Sequence, residues 1–200
     1  MNSQIFWNVI ANYNKHTITI QIILMFFLGL SLLLSYYGKI KWIAKLALGI
    51  ANIYISIVFF CIYGIEPVQK LFALPLYFIW GAIFLYECIR NTDDKLQRPN
   101  PWQILLLLLY AIYPGISILL GNYYPKMVTY IMPCPIISLS IAVYSGYSRK
   151  NKFLLFLLTI WGLTGIKSVI FNVYEDIILL ICGVYGVVVI TREIRKTKLK

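Results

Sequence analysis

Few side chains in this 200-residue sequence could do chemistry, and their spacing restricts what that chemistry could be. Asp and Glu together number 7, and His16 is the single histidine. Cys61, Cys88, Cys134 and Cys182 are scattered, with no CxxC pair and no neighbouring pair of histidines. A zinc site of conventional spacing needs such pairs, so no metal site is expected. Covalent catalysis needs a nucleophile beside a base, and acid–base catalysis needs a positioned His, Asp or Glu. No His/Asp/Glu cluster and no matched Ser–Lys pair supplies either. Neither an enzyme nor a cofactor is therefore expected.

What remains is polarity set among apolar residues. Pro114 follows Tyr113 in the middle of an apolar run, and Pro133-Cys134-Pro135 interrupts the next. Proline removes a backbone N–H and kinks a helix. In lipid, such a break is tolerated where it faces protein or water, and transporters place binding sites at broken helices. Lys167 lies inside a further run, where a charge costs about 2.5–3.5 kcal/mol on insertion scales. It stands about one helical turn from Phe171, so its stem is expected to reach the outer surface and meet Glu175 or Asp176. Glu87 stands one turn before Arg90 and is expected to form an interfacial ion pair with it. Asn52, mid-run, is expected to bond across helices. The candidate cavity combines Tyr113, Pro114 and Tyr124 with the Pro133-Cys134-Pro135 break. Lys167, Glu175 and Asp176 complete it.

The elements that must position these residues are helices in a bilayer. Hydrophobic residues make up 60% of the chain and charged residues 12%, against about 25% charged in a soluble domain. The mean hydropathy is +0.79. A soluble fold could not hide this much apolar surface. That excludes a secreted disulfide scaffold, a disordered tail and an ordinary cytosolic enzyme. Seven apolar runs stand out, at 17–37, 43–62, 71–89, 101–120, 129–147, 153–171 and 177–191. About 20 residues at 1.5 Å each cross about 30 Å of hydrocarbon. Six runs meet that length, and the seventh is short.

Charge decides the seventh. Lys and Arg outnumber Asp and Glu by 18 to 7, a net charge of +11. No basic segment is interleaved with aromatics on a structured face, so nucleic acid is not the expected partner. Seven passes would put fourteen basic residues on one side, and only Lys15, Lys70 and Lys126 on the other. The basic side is the cytoplasmic one, where it also attracts anionic lipid. The expected fold is all-α and polytopic, with seven transmembrane helices, the N-terminus outside and the C-terminus cytoplasmic. Residues 1–200 form one domain, ending in a basic tail at 192–200. Before the first run, Ile5, Phe6, Val9, Ile10 and Tyr13 share one helical face, and Asn8, Asn12 and Lys15 fall on another. Residues 1–16 are therefore expected to lie as a short amphipathic helix on the outer leaflet. They lack the basic start and cleavable apolar stretch of a signal peptide.

The order of several motifs is familiar. These are Tyr13-Asn14, Tyr113-Pro114, Gly121 with Tyr124-Pro125, Pro133-Cys134-Pro135, Trp161 with Gly162 and Gly165, and Glu175-Asp176. The chain resembles a bacterial family of small multispanning membrane proteins, a domain of unknown function whose members sometimes carry a permease label. The likeness covers nearly the whole chain. Where that family has a histidine near the end of the second span, this chain reads Phe60-Cys61-Ile62-Tyr63, and Ile136 replaces a threonine after Pro135. A lysine at Lys167 is not a family feature. The resemblance implies a fold and a bacterial plasma membrane, but no activity, and it carries over no site residue.

Two functions follow as expectations. One is a small permease or channel-like protein with an outward-facing cavity near kinked fourth and fifth helices. The other is a non-transporting accessory, sensor or scaffold protein, favoured by the scarcity of buried charge. The expected partners are the bilayer, with anionic lipid at its cytoplasmic face, a membrane partner or second copy, and an unidentified small solute.

Overall fold

The computed structural model describes residues 3–166, 168 and 173–198. It is all-helical, at 78% helix, with no strand among the described residues. Helix α1 is Ser3–Tyr36 and α2 is Ile43–Tyr54, prolonged by a wide π-helical stretch, Ile55–Tyr63. A second π-turn, Gln69–Ala73, leads into α3, Leu74–Arg90. Then come α4, Pro101–Ala111, α5, Tyr113–Leu119, and α6, Pro133–Tyr144. Helix α7, Lys152–Leu163, ends in a 3-10 turn, and a further 3-10 turn, Tyr174–Asp176, opens α8, Ile177–Lys198.

Four stretches are long and apolar enough to cross a membrane: Gln4–Tyr36, Ile43–Tyr63, Lys70–Arg90 and Tyr174–Arg195. Taken as one bent span, α4 and α5 make a fifth, with 51° between them. Pro133–Tyr144 and Lys152–Ile166 are shorter apolar helices. At 1.5 Å per residue α6 reaches only about 18 Å.

Each apolar run contains a helix, but the lengths depart from the sequence expectation at both extremes. The shortest run, 177–191, becomes part of a 22-residue helix. Its apolar stretch stops at Thr191, but Arg192, Glu193, Arg195 and Lys196 are good helix formers and the helix runs on. The run at 129–147 shrinks to 12 residues, because helix starts only at the first of its two prolines. At the N-terminus nothing separates residues 3–16 from the first run, since no glycine or proline intervenes. Ile10 and Tyr13 are buried within the protein, not spread on a leaflet. The Tyr13 ring packs edge-on against Phe59 and Tyr63, at 5.0 and 5.9 Å between centroids.

Two pairs of helices meet backbone to backbone. A Cβ on Gly81 of α3 would lie 2.9 Å from the Gly49 carbonyl oxygen of α2, and one on Gly183 of α8 would lie 2.5 Å from Gly162 of α7. Small residues at such crossings allow close approach where no water is available to drive helices together.

One end of the bundle is locked by charge. Lys45, fully buried on α2, places Nζ 2.7 Å from Asp94 Oδ2 and 3.2 Å from Glu87 Oε2. The same ammonium sits 4.4 Å from the centre of the Tyr147 ring. The Tyr144 hydroxyl donates to Glu87 Oε1 at 2.7 Å, and the Arg149 amide donates to Asp94 Oδ1 at 3.0 Å. Glu87 thus pairs with Lys45 and not with Arg90, whose Nε donates to the exposed Tyr86 hydroxyl at 3.0 Å. Glu87 falls on the buried stripe of α3 with Trp80 and Phe84, while Arg90 faces away from it. Asn52 donates to Leu48 O of its own helix at 2.8 Å and reaches Ser140 Oγ of α6 at 3.5 Å.

Removing one member of such a network strands the others in a dry interior. Lys45→Met is expected to destabilise the protein by about 3–5 kcal/mol, read as a lowered melting temperature in detergent. Joint replacement of Lys45, Glu87 and Asp94 by Met, Gln and Asn should regain most of that loss. An unchanged melting temperature in the single variant would show that the network contributes no stability.

Candidate functional site

The site is built around α6. Every residue of that helix except Cys134 is buried, and its composition is apolar on all sides but for Ser138 and Ser140. A helix without a polar face is covered all round. The chain must therefore reach it through the interior, as irregular backbone whose polar groups need partners.

Side chains of α1, α3 and α5 supply them. Asn14 Nδ2 donates to the carbonyls of Pro125 and Met127, at 2.8 and 2.9 Å. The Tyr13 hydroxyl donates to Ile131 O at 2.5 Å, and the Tyr77 hydroxyl to Pro133 O at 2.8 Å. The Val128 amide donates to Ser117 Oγ at 3.0 Å.

The prolines solve the complementary problem. The first amides of a helix have no acceptor within it. Pro133 and Pro135 take the first and third positions of α6 and carry no N–H, so two donors that would be buried without acceptors do not exist. The Ile136 amide then closes the first turn on Met132 O at 3.0 Å. Pro133-Cys134-Pro135 is thus a helix start and not a break within a helix. Pro114 has a related role at the first turn of α5, beside the bend at Ile112. The bend aims Tyr113 and Ser117, one turn apart on one face, at the turn that opens α8.

There two adjacent carboxylates are held by neutral donors. Asp176 Oδ1 accepts from the Tyr113 hydroxyl at 2.9 Å, and Oδ2 accepts from Cys134 Sγ at 3.1 Å. Glu175 Oε1 accepts from Ser117 Oγ and from Asn122 Nδ2, both at 2.8 Å. Glu175 is 1% exposed, and its Oε2 has no hydrogen-bond partner among the described residues.

Asp176, Pro133, Cys134 and Pro135 border a cavity of about 130 Å³, with Phe59, Phe60 and Trp161 in the remaining wall. Of the residues picked from sequence, Tyr113, Cys134 and Asp176 are joined by hydrogen bonds, and Glu175, adjacent in the chain, is held separately by Ser117 and Asn122. The two flanking prolines line the same cavity, and Pro114 shapes the approach. Tyr124 lies apart, exposed, in a wider cleft of about 620 Å³ between the start of α1 and residues 121–126. Lys167 lies outside the described residues.

Sequence reasoning missed Ser117 and Asn122. Ser117 carried one signal, its one-turn spacing from Tyr113. Asn122 carried none, since its bond to Glu175 joins residues distant in the chain. Among the described residues no group of three His, Cys, Asp or Glu side chains could hold a metal ion.

Several apolar helices long enough to span a membrane, around a shorter buried one, make this an all-helical protein of a kind compatible with a membrane. Within that class the chain belongs to a family of unknown function, DUF6064, whose model matches residues 3–200. No curated protein and no solved structure matches it.

The reading of the prolines can be tested by sign. Replacing both Pro133 and Pro135 by alanine adds two buried amides, each left unmet at about 1–3 kcal/mol, and is expected to lower the melting temperature without raising helicity. A gain in stability and in circular-dichroism helicity would instead identify them as kinks in a longer helix.

Proposed function

We propose that this chain crosses a bacterial plasma membrane seven times and acts as a small permease-like protein. On this reading the N-terminus is outside and the C-terminus is in the cytoplasm, because that arrangement gathers the basic connections and the basic tail on one side. Two of the seven passes are the short helices α6 and α7, completed by flanking segments. Non-helical backbone is tolerated at membrane depth where protein surrounds it, and the bonds to the carbonyls of 125–133 support this for α6. Anionic lipid at the cytoplasmic face is the surface the basic connections would meet. No catalytic pair or cofactor enters the proposal.

One observation carries the transport reading. A cavity with a carboxylate in its wall lies among apolar helices, at the end of the bundle opposite the Lys45 network. Solute pockets in membrane proteins combine such apolar walls with a few placed polar groups. A second reading, a non-transporting accessory or sensor protein, is favoured by the Lys45–Glu87–Asp94 lock, since a sealed end suits a protein that binds without passing its ligand on.

Reporter fusions at 39–41, 149–152 and 198–200 should fall on one side, and those at 64–69 and 121–126 on the other. Fusions at 121–126 and 198–200 on the same side would refute the topology. Proteoliposomes should take up a labelled solute from a panel of organic cations, organic anions and sugars, and Asp176→Asn should slow that uptake at least tenfold. No uptake across the panel, with a stoichiometric membrane partner co-purifying, would favour the second reading.

A further inference from the structure

We infer that the cavity at the head of α6 binds a small monovalent organic cation, with Asp176 as its counter-charge and Phe59, Phe60 and Trp161 as its aromatic wall. The inference concerns the site of the permease reading and takes its location from it, but it requires only binding.

The first ground is charge. A carboxylate withdrawn from water is expensive unless it is paired and hydrogen-bonded. At the other end of the bundle that requirement is met: Glu87 and Asp94 share Lys45. Among the described residues, Glu175 and Asp176 have hydroxyl, thiol and amide donors, none of which brings positive charge. The ion pairs among the described residues lie elsewhere, at Lys41–Asp93, within the Lys45 network and at Lys150–Glu193. Asp176 borders a cavity with low-dielectric walls, and a carboxylate in such a place concentrates cations.

The second ground is the wall. Phe59 and Phe60 are buried and Trp161 is half-buried, and all three border the cavity. Aromatic faces attract cations through their ring quadrupole, and aromatic walls recognise substituted ammonium groups. Other solutes fit less well. A divalent metal ion seeks six or more oxygen ligands, and among the described residues Asp176 is the sole carboxylate bordering the cavity. A sugar needs many hydrogen-bond partners, which the apolar wall lacks, and an anion would be repelled. A cavity of about 130 Å³ has room for a group the size of a trimethylammonium but not for a large drug-like cation.

The test compares choline with 3,3-dimethyl-1-butanol, which share a shape and differ in charge. Both are titrated by calorimetry onto the purified full chain in detergent. Choline should bind at least tenfold more tightly. Asp176→Asn should erase that preference while leaving the weak affinity for the alcohol, and Phe60→Leu should weaken choline several-fold at an unchanged affinity for the alcohol. Equal affinity for the two compounds in the unaltered chain overturns the proposal, whether or not the variants fold. Choline binding that survives Asp176→Asn, or that emerges only in Lys167→Ala, overturns it too. Choline bound but never taken up by proteoliposomes would remove the permease reading and leave this inference standing. Uptake without preference for positive charge would do the reverse.

Discussion

The need to satisfy backbone polar groups out of reach of water governs the rest of this structure. Helix α6 is too short to cross a bilayer as a regular helix and has no polar face to turn toward solvent. The last part of its lead-in is therefore drawn inward, with Val128, Ile131 and Met132 buried, and its carbonyls must be met by side chains from elsewhere. Tyr13 and Asn14 on α1 and Tyr77 on α3 meet them. This explains why α1 continues unbroken into its polar beginning, because Asn14 is needed inside the protein. It also explains the prolines. Their missing amides reduce the number of donors to be satisfied at the buried start of α6, and the same turn brings Cys134 beside Asp176.

Hydropathy reports where apolar surface is, and each of the seven runs does contain a helix. It does not report where a helix ends. Proline delayed the start of α6, and strong helix formers carried α8 well past its apolar stretch. The polar positions were legible for a similar reason: Tyr113, Cys134, Glu175 and Asp176 stand out against their apolar neighbours. Their partners were harder to read. Ser117 and Asn122 look ordinary in sequence, and Lys45 looks like one more charge at the edge of a connection. Whether a lysine points outward or into the bundle depends on the face it occupies. That face is fixed by contacts with α3, with the connection between α3 and α4, and with the segment that follows α6.

The two ends of the bundle treat carboxylates differently. At one end Glu87 and Asp94 share a buried ammonium, an aromatic ring and several donors, and the elements there are fastened together. At the other, Glu175 and Asp176 are held by neutral donors beside open volume. The charged network at one end and the neutral donors at the other are the asymmetry on which the proposed one-sided pocket rests. The bend between α4 and α5 serves the open end, where it turns Tyr113 and Ser117 toward the acidic pair.

The Lys45–Glu87 pair also bears on how such a chain would enter a bilayer during synthesis. An ammonium near the start of α2 is unwelcome in oil while it is alone. Its partner arrives only when α3 has been made, and Gly49 and Gly81 let the two helices press together at once. For a nascent chain at a membrane, α2 and α3 are therefore best delivered as a hairpin. The helices would leave the insertion machinery as a couple, with their opposite charges already matched.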